Sequence, residues 1–259
     1  MYTMGIDVGS ASSKVVILKD GKDVVAAEVV QVGTGSSGPQ RALEQAFKVS
    51  GLTREDMSFV VATGYGRFAF EGADKQISEI SCHAKGIYHL VPTARTIIDI
   101  GGQDAKAIRL DDKGGIKQFF MNDKCAAGTG RFLEVMARVL ETTLDDMAEL
   151  DAQATDTAPI SSTCTVFAES EVISQLPSGE SRNNIIKGVH LSVASRACGL
   201  AYRGGLEKDV VMTGGVARNA GVVRAVASVL KTDVIVAPNP QTTGALGAAL
   251  FAYEAAQKK

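Results

Sequence analysis

The chain has 259 residues, 45% of them hydrophobic and 22% charged, which suits one large or two small soluble domains with ample core-forming potential. A net charge of −2 argues against a broad nucleic-acid or anionic-membrane footprint, and no apolar run approaches the roughly 20 residues that a membrane span requires. The opening residues, MYTMGIDVGS, enter a strand directly with no signal-type stretch, so the expected location is cytoplasmic; thiols stay reduced there, and the four cysteines read as metal, redox or core residues before disulfides.

Residues 4–8 predict an apolar strand ending in Asp7, followed by the polar turn of residues 9–13 and Lys14. Residues 15–18 continue as strand, Asp20-Gly21-Lys22 is a hairpin turn, and residues 24–32 form a third strand. VGTGSSG at residues 32–38 fits G-x-G-x-x-G, the dinucleotide fingerprint. The strand before it is the third of a meander rather than the first of a βαβ unit, so a turn ahead of a helix opened by Pro39 is expected instead. VVATGYG at residues 60–66 is a buried strand ending in a glycine turn. Residues 77–90, ISEISCHAKGIYHL, predict a helix on which Glu79 and His83 could share a face. No third ligand lies nearby, so packing is expected there rather than zinc.

At residue 97 the first pattern returns, IIDIGGQDAKAIRL lying against GIDVGSASSKVVIL. Asp99 falls on Asp7, Gly101 on Gly9 and Lys106 on Lys14, each 92 residues on. Each copy supplies the parts of a phosphate clamp. Glycines let backbone N–H groups approach an anion, Ser10, Ser12 and Ser13 offer hydroxyls, and a lone lysine adds charge. An aspartate where a strand opens into the loop suits Mg²⁺ held through water. Two such clamps facing across a cleft would grip a polyphosphate from both sides.

MNDKCAAGTGRFLEVMARVL at residues 121–140 places Cys125 ahead of an amphipathic helix, with Phe132, Val135, Met136, Val139 and Leu140 at helical spacing. SSTCTVFAESEVISQL repeats the layout around Cys164. A thiol at a helix start faces orphan N–H groups and the positive end of the dipole, which favour a thiolate and any anion it binds. Two such thiols suggest two halves of one anionic site. Residues 144–156 read as a solvated helix or connector, and residues 184–206 as a long helix in which Cys198 fills core and His190 packs or faces solvent. DVVMTGGVA is a buried strand breaking into Gly214-Gly215, bare backbone against which an adenine or ribose could lie, followed by Arg218, Asn219 and a helix to residue 230. A strand at 234–237, a proline turn and a helix of small residues starting with QTTGALGAA close the chain.

Together these motifs resemble the sugar kinase, heat-shock chaperone and actin superfamily: GIDVGSASSK its first phosphate loop, IIDIGGQD its second, VVMTGGVARN its adenosine loop and TTGALGAAL its hinge helix. The two cysteine segments are similar to one branch, the ATP-dependent activators of (R)-2-hydroxyacyl-CoA dehydratases, and the resemblance covers essentially the whole chain. It implies an α/β protein with a duplicated ribonuclease-H-like, actin- or sugar-kinase-type two-lobed fold. The first lobe would span residues 1–94, completed by a C-terminal helix at 244–259, and the second residues 95–243.

The branch also implies a homodimer with one 4Fe-4S cluster held by Cys125 and Cys164 of each chain. A count of thiols agrees, since such a cluster takes four thiolates and twofold symmetry turns two into four. The competing count recruits Cys82 and Cys198, whose helix-interior settings suit core better. The implied activity is ATP hydrolysis to ADP, coupled to passing one electron from a ferredoxin or flavodoxin to the dehydratase for a radical dehydration. In that reading Asp7 and Asp99 position Mg²⁺ and Gln103 orients the attacking water. Ser10, Ala11, Ser12, Ser13, Lys14, Gly101 and Gly102 hold phosphates, and Gly214, Gly215, Asn219 and Gln241 surround the nucleoside. A small-molecule kinase of the same superfamily would need a substrate pocket with a catalytic base, usually built from insertions that this short chain lacks, and an actin-like module leaves the cysteine segments unexplained.

Overall fold

The computed structural model describes residues 1–161 and 164–258. Its first sheet begins as an antiparallel meander of β1 (Tyr2–Val8), β2 (Ser13–Lys19) and β3 (Asp23–Val30), with Asp20 and Gly21 at positive φ in the turn between β2 and β3. Helix α1 (Gly38–Ser50) follows, and β4 (Met57–Thr63) returns parallel to β1, with the short β5 (Lys75–Gln76) beyond it, giving the order β3-β2-β1-β4-β5. Helix α2 (Glu79–Leu90) starts at Ser78, whose hydroxyl accepts from the Ser81 amide.

The second sheet repeats this plan. Strands β6 (Thr96–Ile100) and β7 (Ala105–Leu110) are antiparallel, β8 (Ile116–Asn122) lies beside β7, and β9 (Val210–Thr213) runs parallel to β6, giving β10-β9-β6-β7-β8 with β10 at Val234–Val236. Between β8 and β9 come α3 (Gly130–Val139), α4 (Met147–Ala152), α5 (Thr165–Gln175) and α6 (Arg182–Arg203); α7 (Ala220–Leu230) follows β9 and α8 (Thr243–Ala256) closes the fold. The duplication extends to register: Asp7 pairs with Lys14 across β1–β2, and Asp99 with Lys106 across β6–β7. Two mixed five-stranded sheets built on one plan make this a duplicated ribonuclease-H-like α/β fold.

The chain divides into two compact units, one of Met1–Ala94, Leu110–Ile116 and Ala237–Lys259, the other of Arg95–Arg109 and Lys117–Val236. The C-terminal piece of the first unit thus starts at Ala237, and Gln241 belongs with that unit rather than with a 95–243 lobe. The strand expected over residues 24–32 ends at Val30, while the strand expected to break into Gly214-Gly215 ends at Thr213, followed by a 3-10 turn over Gly215–Arg218.

In the first unit, β1 buries Met4, Ile6 and Val8 on the face covered by Ala42 and Ala46 of α1, while α8 covers the other face through Val16, Leu18, Ala245 and Ala249. Strands buried on both faces read as continuous apolar runs rather than alternating ones. Cys82 lies in this core with Phe59, Val61 and Ala248, and burial pushes its thiol up to about 12. Cys198 is buried in the second core, beside Val226, with the same consequence. Both therefore pack as small hydrophobes. His190 is fully buried in α6, Nδ1 3.4 Å from Asp151 Oδ2, which also takes Arg224.

Helix α8 meets its neighbours backbone to backbone. A methyl at Gly247 would collide with the Cys82 carbonyl, one at Gly86 with the Thr243 carbonyl, and one at Gly5 with the Ala245 carbonyl. Gly247→Ala should therefore lower stability by about 2–3 kcal/mol, because backbone cannot step aside as a side chain can. Gly199→Ala, at an exposed α6 position with nothing within 4 Å, should raise it by about 0.5–1 kcal/mol. Urea unfolding of the two variants checks both signs.

Candidate functional site

Asp7 stands at the carboxyl end of β1, 6% exposed, with Lys14 Nζ 3.0 Å from its Oδ2. Lysine is its cross-strand neighbour, so the ion pair follows from the hairpin register. A buried carboxylate needs such compensation. Two glycines stand beside the Asp7 carboxylate. Gly64, at φ +86°, leaves no room for a side chain beside Oδ1, and Gly244 faces Oδ2. Arg67 braces this turn, its Nη1 donating to the Gly64 carbonyl and to Glu79 Oε2, both at 2.9 Å. Glu79 is thus paired with Arg67, while His83 Nδ1 lies 3.1 Å from Thr243 Oγ1.

The loop after Asp7 is tied by the Gly9 amide donating to the Ser12 carbonyl at 3.1 Å. Ala11 is exposed at its tip, Ser10 half-buried, and Ser12 and Ser13 buried; Ser13 Oγ donates to the Val32 carbonyl at 2.9 Å. The glycine stretch after β3 backs this loop, Gly33 lying directly on the Ser10 carbonyl. Of the residues expected on phosphate, Ser13 and Lys14 thus have protein partners of their own.

The second copy is more enclosed. Asp99 is 3% exposed and Lys106 Nζ sits between Asp99 Oδ2 at 3.2 Å and Asp104 Oδ2 at 2.6 Å. Gly214, at φ +88°, lies against Asp99 Oδ1 as Gly64 lies against Asp7. Gly64 and Gly214 occupy equivalent places because Asp7 pairs in parallel with Thr63 and Asp99 with Thr213. The dipeptide Thr-Gly at the end of both strands carried that signal. Asp104 and Gly64 are the site residues that sequence reasoning missed. Gln103 is exposed on the loop and Gly215 is exposed after β9. Asn219 caps α7, its Oδ1 accepting from the Gly221 and Val222 amides while Nδ2 donates to the Leu144 carbonyl at 3.2 Å.

The loop of Asp99 is tied to the helix behind Cys125. The Gly130 amide donates to the Gly101 carbonyl at 2.9 Å and the Arg131 amide to the Gly102 carbonyl at 2.8 Å. This corrects one expectation, since the first N–H groups of α3 serve that loop rather than Cys125. Cys125 lies five residues before the helix, on an exposed loop whose carbonyls at Cys125 and Ala127 accept from Asn122 Nδ2. Cys164 is different: exposed, and itself the N-cap residue of α5. Part of its expected cap run, at 162 and 163, lies outside the described residues. Val166, Phe167 and Ile173 of α5 are 66%, 69% and 52% exposed, an apolar surface next to Cys164.

The model of the BadF/BadG/BcrA/BcrD ATPase family matches residues 4–252. The chain belongs to that family. An activator of lactoyl-CoA dehydratase from Anaerotignum propionicum is 91% identical over 259 residues, covering 100% of both chains. The (R)-2-hydroxyglutaryl-CoA dehydratase activating ATPase of Acidaminococcus fermentans is 57% identical, covering 100% of this chain and 99% of its own. Among solved structures, the activator of the 2-hydroxyisocaproyl-CoA dehydratase from Clostridium difficile with bound ADPNP matches with TM-score 0.97 at 54% identity, covering 100% of this chain and 96% of that one. The resemblance read from the cysteine segments is thereby borne out, and among the described residues no helix is long and apolar enough to cross a membrane.

In the second acidic cluster one lysine lies between two carboxylates. Lys106→Met removes the cation that Asp99 and Asp104 share and should cost about 3–5 kcal/mol. Lys14→Met, whose side chain is 13% exposed and pairs with one carboxylate, should cost less. Denaturant midpoints at neutral pH check the order.

Proposed function

We propose that this protein hydrolyses ATP to activate a 2-hydroxyacyl-CoA dehydratase, delivering one low-potential electron to it. The observation that carries the reading is the pair of amide bonds from Gly130 and Arg131 to the Gly101 and Gly102 carbonyls, which link the loop after Asp99 to the segment bearing Cys125. A change in that loop on hydrolysis would be passed to the start of α3. The 91% identical activator of lactoyl-CoA dehydratase favours a dehydratase of that short-chain kind as the partner, and the relative with ADPNP bound supports a nucleotide at the glycine loops.

Asp7 and Asp99 offer hard carboxylate oxygens, the donor type Mg²⁺ takes. Gly101 and Gly102 bring backbone close to phosphate, while Ser10, Ala11 and Ser12 form the first loop. Gln103, exposed beside the second, orients the attacking water, and Gly214 and Gly215 expose backbone for the nucleoside, with Asn219 and Gln241 as its further expected neighbours. Water attacks the γ-phosphorus, and ADP and phosphate leave.

The thiols fit half of a four-thiolate site. Cys125 and Cys164 are exposed and free, the other two cysteines are buried, and no group of three or more metal-binding side chains gathers among the described residues. A second copy of the chain supplies the other two thiolates of one 4Fe-4S cluster, and the exposed apolar face of α5 supports such a homodimer. When bound, the cluster supplies a one-electron carrier, refilled by ferredoxin or flavodoxin. The location is cytoplasmic, where free thiols persist.

Anaerobically purified protein should hold about two iron and two sulfide per polypeptide and migrate as a dimer. Replacing both Cys125 and Cys164 by serine should remove the iron while leaving nucleotide binding. Full iron content in that variant, or a monomer with a complete cluster, would sink the proposal. Asp99→Asn should abolish phosphate release and spare the iron; loss of the iron instead would show the roles to be assigned wrongly.

A further inference from the structure

The loop that carries Cys125 has its carbonyls occupied and its amides not. Asn122, the last residue of β8, donates from Nδ2 to the Cys125 carbonyl at 3.0 Å and to the Ala127 carbonyl at 3.3 Å. One NH₂ group has two protons, so both bonds form at once, and two carbonyl neighbours assign the nitrogen rather than the oxygen to this side. The carbonyl between them, of Ala126, takes the Thr129 hydroxyl at 2.6 Å and the Thr129 amide at 3.1 Å. That amide bond closes a turn over residues 126–129 with Gly128 in third place at φ +85°. The stem of Arg196 lies across the glycine, 2.9 Å from where a Cβ would stand. Three successive carbonyls are thus accounted for. Among the described residues, the amides of Ala126, Ala127 and Gly128 donate to no protein group, although Ala127 and Gly128 are buried. Buried N–H groups without a partner are rare, and successive ones in a turn make an anion-binding concavity. The amides that open α3 do not serve in their place. Those of Gly130 and Arg131 hold the Gly101 and Gly102 carbonyls, and those of Phe132 and Leu133 donate to the Thr129 carbonyl.

We propose that Asn122 is a positioning residue for Cys125: by drawing the Cys125 and Ala127 carbonyls to itself, it leaves the amides of residues 126–128 to donate to the thiolate and its cluster. The proposal rests on the reading of Cys125 as a cluster ligand. Hydrogen bonds to the sulfurs are one of the factors that set a cluster's reduction potential. A donor stabilises the more negative, reduced state, so its loss moves the potential downward. Partners that orient a ligand without touching the metal change metal affinity or activity by about 10–100-fold when removed. Asn122 acts in this way, through the shape of the loop and not as a ligand itself.

The test uses the full chain purified without oxygen and holding its iron. Asn122→Leu keeps the outline of the side chain and removes both donors. The readouts are the midpoint potential of the cluster, the rate at which a chelator strips its iron, and the calorimetric affinity for ADP. The expected result is a more negative potential and iron lost about tenfold faster or more, with ADP bound as by the parent protein. A parent-like potential overturns the proposal whatever the rate. So does a variant whose ADP affinity falls together with its iron, since Asn122 would then be a general support of the fold. Should Asn122→Leu fail to fold, Thr129→Val removes the hydroxyl from the Ala126 carbonyl of the same loop and must move the potential in the same direction; an unchanged potential there is equally fatal. Cys125→Ser is measured alongside. If it loses the iron while the potential of Asn122→Leu stays at the parent value, the cluster reading stands and the proposal falls. If it keeps its full iron, the reading of Cys125 has failed and the proposal with it.

Discussion

A carboxylate at the end of a central strand can serve a ligand only if nothing but backbone crowds it and some cation compensates its burial. In the first unit the hairpin register places Lys14 opposite Asp7, and the parallel neighbour β4 ends one residue before Gly64, whose positive φ and missing side chain leave Oδ1 uncovered. In the second unit the same two pairings place Lys106 opposite Asp99 and Gly214 beside it. The duplication is therefore of a working detail, not only of strand order. The second copy adds Asp104 to the lysine, so the two clusters are not equal in charge.

The two cysteines stand on different supports. Cys164 caps α5 directly and sits beside apolar side chains exposed to solvent. Cys125 lies on a loop whose continuation into α3 is pinned by carbonyls of Gly101 and Gly102. Helix N-terminal amides are usually left for caps, water or anions. Here two of them hold the loop after Asp99, so α3 cannot shift independently of it. The membership of the chain in an ATPase family gives that linkage its meaning.

Much of this was legible from residue order. Short apolar runs, the Asp20-Gly21 hairpin turn, the proline that opens α1 and the helical spacing of Phe132, Met136 and Val139 are local signals, and each produced its element. The repeated aspartate, glycine and lysine marked the clamps because they lie within one hairpin. The less legible partners lie far apart in sequence. Gly64 meets Asp7 only through a parallel pairing, and Gly244 arrives from the last helix. Asn219, read from the sequence as a neighbour of the nucleoside, also caps α7, a role set by its place at the start of that helix. Likewise Lys14 looked free for phosphate until the register set it against Asp7.

Residue order alone determined the elements, the duplication, the buried status of Cys82 and Cys198, and the family to which the cysteine segments point, since these depend on neighbours within one strand, turn or helix. The tertiary structure decided which oxygen of each aspartate is covered, which amides of α3 are occupied, and that His83 of α2 meets Thr243 of α8. Those facts depend on parallel strand pairing and on glycine contacts between α2, α8 and β1, where groups from remote parts of the chain meet at distances no local pattern encodes.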